Sequence, residues 1–519
     1  MIYFAPLMEP TILPDEALWK KIVRKWFRLY FFTFLVAPAA YTTRAILANK
    51  LAIDDVGIFY SVLWFVTLIS LYNDLGLTEA LQYYLPKYRI EKKYNEYKTI
   101  LLSTLGIQVI SGFVIAGILF RWADRLAIHH FHSPTAASLL KIFCLYFIGI
   151  NFLQVANSVF ISFQNTLVSS ITDFIRQITI LWFILTFWLT NALLTPTLFA
   201  WGRIVGLTIA ICVAIILFLK NYGYTLAKGK FIWNRSLLKI QFSYAFRVWI
   251  SLNVWYLISQ IDQQLIINFL GTESAGIYAT YGTTLMIYGV LTGTLGPLLF
   301  PIVTELITKG YTEKFQLLQN LIYKYFSIFA RSISGIFFAF GPEITSVFFG
   351  TKFAYSGQLV SYIAPFLTIN MLMAINYLML AWLGKIKQRA KFLVIALIVN
   401  IVLNLILIVW LDMQLVWALI ATICSRCIMR WASFIELYRY QPIHIDRPYV
   451  MKNGTLIIAL SLFFRYIKSY FFIASNAFRF QNIEYLIWAV CVYYLVISLC
   501  NITQIKIVIQ QIKLLRQKI

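Results

Sequence analysis

The chain has 519 residues, of which 61% are hydrophobic and 12% charged, with a formal net charge of +24. Soluble domains carry about 25% charged residues, so these charges cannot cover the surfaces of a soluble chain of this length, and a mean hydropathy of +0.77 places most of it in lipid. The basic excess sits in short clusters between apolar runs and not along one polar face, which argues against nucleic acid as a partner.

The first thirty residues are charged and aromatic, and no small-residue cleavage site marks a signal peptide. Apolar runs of about 20 residues, long enough to cross a ~30 Å hydrocarbon core as helices, follow near 27–47, 57–85, 100–121, 138–161, 174–190 and 197–219. A basic linker separates them from a second set near 246–269, 277–303, 323–349, 358–383, 391–411 and 415–437. A further pair lies near 453–473 and 484–503, ahead of a basic tail. The runs are continuous, without the alternation of a barrel strand. The expected fold is therefore an all-α polytopic membrane protein of about fourteen transmembrane helices. Its expected divisions are an N-terminal segment (1–24), a six-helix lobe (25–220), a linker (221–245), a second six-helix lobe (246–437), and a helix pair with its tail (438–519).

Lys and Arg favour alternate loops, with about three quarters of the 44 on one side. Clusters such as "KKIVRKWFR" (20–28), "KYRIEKK" (87–93) and "GKIKQRAK" (384–391) carry the bias. The positive-inside rule then puts both termini in the cytoplasm, for a chain residing in an inner (plasma) membrane.

Two stretches read almost alike at an offset of 219 residues: "NKLAIDDVGIF" (49–59) and "NFLGTESAGIY" (268–278). Each falls at the turn between the first two helices of its six-helix set. An even number of spans separates them, so the two sets share one orientation in the membrane. Parallel repeats of this kind build two-lobed carriers that hold substrate between the halves. Gly57 and Gly276 are expected as tight-turn residues, with Asp54 and Glu273 near the start of the following helix.

The stretch "RAILANKLAIDDVGIFYSVLWFVTLISLYNDLGLTEALQYYLPKY" (44–88) resembles the opening of the polysaccharide-transporter flippases, including the O-antigen Wzx type. "ISQIDQQLIINFLGTESAGIYATY" (258–281), "LFPIVTEL" (299–306) and "FFGTKFAYSGQLV" (348–360) follow in matching order. These flippases share a superfamily with the MATE exporters and the lipid II flippase. The resemblance spans about 25–440 and implies two bundles around a central cavity. It also implies export of a polyprenyl-diphosphate-linked oligosaccharide, by a monomer and with no cofactor.

Such a cargo calls for cations within the membrane region, and Arg suits phosphate because its planar fork stays charged when desolvated. Charges inside spans are costly and usually face a cavity or a partner. Arg44, Arg176, Arg203, Arg247 and Arg331 are thus the candidates for the diphosphate and sugar. Arg44, Arg176 and Arg247 also lie near enough to helix ends to snorkel. The embedded acids Asp262 and Asp74 are candidates for coupling to Na⁺ or H⁺, or for a polar contact between lobes. Arg44 and Asp262 fall on the resembling motifs. "HHFH" (129–132) reads as an interfacial loop and Cys424–Cys427 as helix packing, so no metal centre is expected.

Two other functions fit the composition. A cation-coupled drug exporter of the same superfamily would favour an acid-rich cavity, whereas the embedded charges here are mainly Arg. A membrane glycosyltransferase or polymerase could use Asp54–Asp55 as an acidic metal site, yet the loop holding them is short.

Overall fold

The computed structural model describes residues 35–163, 165–293, 303, 306, 310–383, 385–411, 413–440, 447–471 and 479–501. The segment 1–24, the basic tail and most of "LFPIVTEL" lie outside them. The described chain is helical throughout. In order it forms α1 (35–50), α2 (Ile53–Asp74), α3 (Leu77–Ile90), α4 (Tyr94–His129), α5 (Thr135–Ser162), α6 (Thr166–Leu189) and α7 (Pro196–Lys228). There follow α8 (Arg235–Phe269), α9 (Gly271–Gly293), α10 (Thr312–Phe349), α11 (Ala354–Trp382), α12 (Ile386–Asn404), α13 (Leu415–Tyr440), α14 (Arg447–Phe471) and α15 (Arg479–Cys500). Among the described residues ten helices are long and apolar enough to cross a membrane. The chain is a multi-pass membrane protein.

The packing divides it into two compact units, Met1–Thr43 with Ser70–Leu119 and Cys144–Trp249, and Arg44–Ile69 with Phe120–Phe143 and Ile250–Ile519.

The apolar run 57–85 is not one helix, and its break lies in the first unit. It breaks after Asp74, where Leu75 and Gly76 take positive φ (49° and 74°). The Asp74 carboxylate accepts hydrogen bonds from the Gly76 and Thr78 amides (3.1 and 3.2 Å) and the Thr78 hydroxyl (2.9 Å), capping α3. Gly76 is required twice over. Its φ suits glycine, and a Cβ there would lie 2.2 Å from the Ala245 carbonyl oxygen of α8. Around this break Leu77, Leu81, Leu85, Ile100, Val155, Val159 and Ala245 form a buried apolar cluster.

In the second unit, α10 bends at Phe340, whose φ and ψ (−120°, 16°) leave the helical region, two residues before Pro342. Proline supplies no amide hydrogen, so the Phe338 carbonyl loses its partner within the helix. Arg465 of α14 donates to that carbonyl at 3.3 Å. Lys468 donates to the Ala339 carbonyl at 2.9 Å and pairs with Glu343 at 2.8 Å. Helix α14 thus supplies the donor that the Phe338 carbonyl loses within α10.

Candidate functional site

The repeated stretches come together. A Cβ on Gly57 of α2 would lie 2.0 Å from the Thr272 carbonyl oxygen and 2.7 Å from the Gly276 amide of α9. A Cβ on Gly276 would lie 2.2 Å from the Ile53 carbonyl oxygen. Thr272 corresponds to Ile53 under the same 219-residue offset that relates Gly276 to Gly57. The contact is therefore reciprocal, as across a two-fold axis, with each repeat offering the same backbone patch. Neither glycine is a turn residue as expected, since both lie about one turn inside their helices and neither has positive φ. Glycine is needed there because backbone meets backbone.

Polar groups surround this contact. Thr272 donates to Asp54, Lys352 donates to the Leu51 carbonyl, and Asn49 donates to the Phe348 carbonyl at 2.7 Å. Gln263 donates to the Ser61 hydroxyl at 2.8 Å, and Gln264 to the Ser61 carbonyl at 3.1 Å. The "HHFH" loop joins them. His130 Nε2 lies 3.0 Å from Gln264 Oε1, and His132 Nε2 lies 2.9 Å from the Asn268 carbonyl. All of these are short, directional contacts that a small separation would break.

Deeper in the same unit, Asp262 of α8 is fully buried. Its carboxylate accepts from Thr422 Oγ1 (2.6 Å), Asn404 Nδ2 (3.0 Å) and the Tyr278 hydroxyl (3.1 Å), and Arg426 acts on it electrostatically. Its partners come from α9, α12 and α13, so the neighbouring glutamines, not Asp262, reach the first repeat at Ser61. The Thr422 hydroxyl also lies 3.0 Å from the Ala418 carbonyl, and its single proton cannot serve both acceptors. The side-chain oxygens of Asn400 and Asn404 are buried without hydrogen-bond partners. Asp262 thus sits among two hydroxyls and two asparagine side chains, an oxygen-rich, buried surrounding of the kind a hard cation can enter. Directly after Asn404, α12 widens into a π-helical turn, Leu405–Trp410, a distortion frequent at functional sites.

The other sequence candidates are dispersed. Arg44 donates to the Met286 sulfur and lies 5.9 Å from the Tyr60 ring centre. Arg331 donates to the Val450 carbonyl of α14 and rests on Gly454, where a Cβ would lie 2.5 Å from its guanidinium nitrogen. Arg331 thus fastens the C-terminal pair to α10 instead of standing free in a cavity. Within the first unit, Arg176 pairs with Asp173 at 3.0 Å, and Arg203 is half-buried in α7. The Arg247 side chain lies outside the described residues. Asp74 caps α3 and also accepts from Gln108. The sequence reading missed Asn400, Asn404 and Thr422. Their signal was present in "NIVLN" (400–404), two amides one turn apart on an apolar helix.

A profile of the polysaccharide biosynthesis protein family matches residues 22–307, and the chain belongs to that family. It is 26% identical over 455 residues to an uncharacterized membrane protein of Methanocaldococcus jannaschii, covering 83% of this chain and 86% of the relative. Among solved structures, it resembles the lipid II flippase MurJ in an inward closed conformation, with a TM-score of 0.70 at 13% identity over 92% of this chain and 99% of MurJ. An inward-facing multidrug resistance MATE transporter of the MOP superfamily is similar too, with a TM-score of 0.63 at 12% identity over 81% of this chain and 94% of that one. The fold is that of MOP transporters.

Proposed function

We propose that the chain is a flippase carrying a polyprenyl-diphosphate-linked oligosaccharide from the cytoplasmic to the outer leaflet by alternating access. The observation that carries this reading is the reciprocal contact at Gly57 and Gly276. Two parallel repeats that touch through backbone and short polar bonds can close one side of a carrier and reopen it without unfolding either half. Membership of the polysaccharide biosynthesis family and the fold shared with a lipid II flippase support a glycan lipid as cargo. On this reading the lobes are 25–220 and 246–437, both termini are cytoplasmic, the membrane is the inner one, and the protein acts as a monomer without enzymatic chemistry. Arg44 and Arg203 remain candidates for the diphosphate.

Asp262, Asn400, Asn404 and Thr422 would hold Na⁺, whose binding drives the return of the empty carrier. A proton on Asp262 is the alternative coupling. The membrane potential would assist the outward step, at about 2.3 kcal/mol per charge per 100 mV. The same cation cluster would suit a drug exporter, so cargo decides between them.

The test is flipping of a polyprenyl-diphosphate oligosaccharide in proteoliposomes under imposed Na⁺ gradients and potentials. Transport of lipid-linked sugar is expected. Transport of a lipophilic cation with no flipping would reverse the assignment. Topology is checked by cysteines placed at 92, 230 and 273, of which only the last should label from outside.

A further inference from the structure

The first unit holds an apolar groove between α4, α5 and α7. Its volume is about 510 Å³, and all ten side chains that line it are hydrocarbon, among them Leu101, Leu105, Val155, Ala156, Ala214 and Phe218. Alanine at 156 and 214 leaves room that longer side chains on α5 and α7 would fill. From Ala214 to Tyr222, α7 rises roughly 12 Å at 1.5 Å per residue, close to the depth of one leaflet of a ~30 Å hydrocarbon core. Walls of this kind offer water no hydrogen bonds, so hydrocarbon is the occupant that a membrane supplies.

An aromatic collar closes one end. Phe218 of the groove lies against Tyr222 with ring centres 6.0 Å apart, Tyr222 stacks on Phe163 at 4.3 Å, and the Arg89 guanidinium carbon lies 4.7 Å from the Phe163 ring centre. Arg89 also acts electrostatically on Tyr97, one turn of α4 before Leu101 of the groove. It is exposed, and it makes no ion pair among the described residues. More positive charge is fixed beside it. The extended segment 229–234 is bonded to the first turns of α4: Lys98 donates to the Gly229 carbonyl at 3.0 Å, the Lys230 amide donates to Asn95 at 2.8 Å, and Thr99 and Ile232 exchange hydrogen bonds of 3.1 Å. A Cβ on Gly229 would lie 2.1 Å from the Tyr94 carbonyl oxygen, so the two backbones touch. Residues 87–98 and 228–230, brought together in this way, carry seven cations against two acids, Glu91 and Glu96. Trp233, at the end of the segment, is exposed, as aromatic residues at a lipid–water boundary are.

We propose that the groove and its collar bind an anionic phospholipid of the surrounding bilayer, with one acyl chain between α4, α5 and α7 and the phosphate at Arg89. The hydrocarbon walls select the tail, and the excess of basic residues at the collar selects the head group. Neither argument depends on the flippase reading. Arg89 suits the phosphate because its planar fork makes paired, charge-assisted hydrogen bonds, and its contact with Phe163 holds it at the end of the groove. The bound lipid braces the segment 229–234, which leads directly into α8.

The experiment places the full-length protein in phosphatidylcholine nanodiscs with a trace of phosphatidylglycerol, or of phosphatidylcholine, that carries a photoreactive acyl chain. Crosslinked peptides are read by mass spectrometry. The phosphatidylglycerol probe is expected to label the groove residues of α4, α5 and α7, to be displaced by unlabelled phosphatidylglycerol, and to exceed the phosphatidylcholine probe severalfold. Arg89→Gln, at an exposed position, should cut that preference by about fivefold. Ala156→Phe fills the groove and should abolish labelling there, while labelling around Phe113, exposed elsewhere on α4, continues. Equal labelling of the wild type by the two probes would reduce the groove to ordinary lipid contact and overturn the proposal, with no variant needed. A preference that survives Arg89→Gln would overturn the place of the phosphate. Displacement by a polyprenyl diphosphate but not by phosphatidylglycerol would give the groove to the tail of the carried lipid and overturn the phospholipid site.

Discussion

Asp74 and Asp262 are both carboxylates buried within helices of this chain, and they are partnered in opposite ways. Asp74 draws most of its hydrogen bonds from the four residues that follow it and spends them on starting α3. Asp262 draws its bonds from three other helices, one of them 160 residues away in sequence. A carboxylate bonded to its own turn shapes the backbone, and its loss is felt locally. A carboxylate bonded across helices holds them in one arrangement and releases them together when its charge is neutralised or met by a cation. Burial alone does not separate these two acids. The sequence distance of the partners does.

The largest expected effect tests this difference directly. Asp262→Asn should cost on the order of 100-fold in cation affinity, read as the Na⁺ dependence of flipping in proteoliposomes, whereas Asp74→Asn should leave that dependence in place. Loss of Na⁺ dependence in both variants would erase the distinction. Next comes the repeat contact, which lies in the same unit as Asp262. Gly57→Val or Gly276→Val pushes a side chain into a carbonyl oxygen about 2 Å away and should reduce transport by about tenfold or more at normal protein level. A disulfide linking the 49–59 and 268–278 stretches should block transport until it is reduced. Undiminished transport in the crosslinked protein would rule out separation of the repeats.

Smaller effects concern stability. Asp74→Asn should lower unfolding stability by about 1–3 kcal/mol, measured by thermal melting in detergent. Arg331→Ala should likewise lower the melting temperature, with transport per folded molecule largely kept, because Arg331 binds the α14 backbone. A collapse of transport at unchanged stability would return Arg331 to the cargo path.

The smallest effect is one of pH. Burial holds the His130 imidazole below its ordinary value, against the Gln264 hydrogen bond, which raises it. Protonation is thus resisted while His130 is packed at the repeat contact. The contribution is complete above the ordinary imidazole value of about 6.5 and is lost as pH falls below it. Crosslinking between the repeat stretches should weaken in that range, and His130→Gln should make it indifferent to pH.

Most of the architecture was legible because lipid leaves the backbone few options. Long apolar runs must be helices, and an even number of spans between two like motifs fixes a parallel repeat. Asp262 was legible as an isolated charge in an apolar run. Its companions were not, since Asn400, Asn404 and Thr422 are ordinary polar residues until the fold sets them beside a carboxylate. The repeat glycines stood out in sequence, but their role did not. A glycine reads as a turn when its neighbours are local, and only the structure shows that the close neighbour, Thr272 for Gly57 and Ile53 for Gly276, lies in the other repeat. Arg331 misled for the related reason that depth along a helix says nothing about which helix covers it.

The bend in α10 has a consequence for how the protein is made. Its open carbonyl at Phe338 is met by Arg465, which leaves the ribosome more than 100 residues later. At about 5–20 residues per second that interval is roughly ten seconds, during which the Phe338 carbonyl lacks that donor. Synthesis halted before α14 would leave the Phe338 carbonyl without the Arg465 donor it has in the finished fold. The packing of α10 is thus completed only once α14 has been made, which sets it late in assembly.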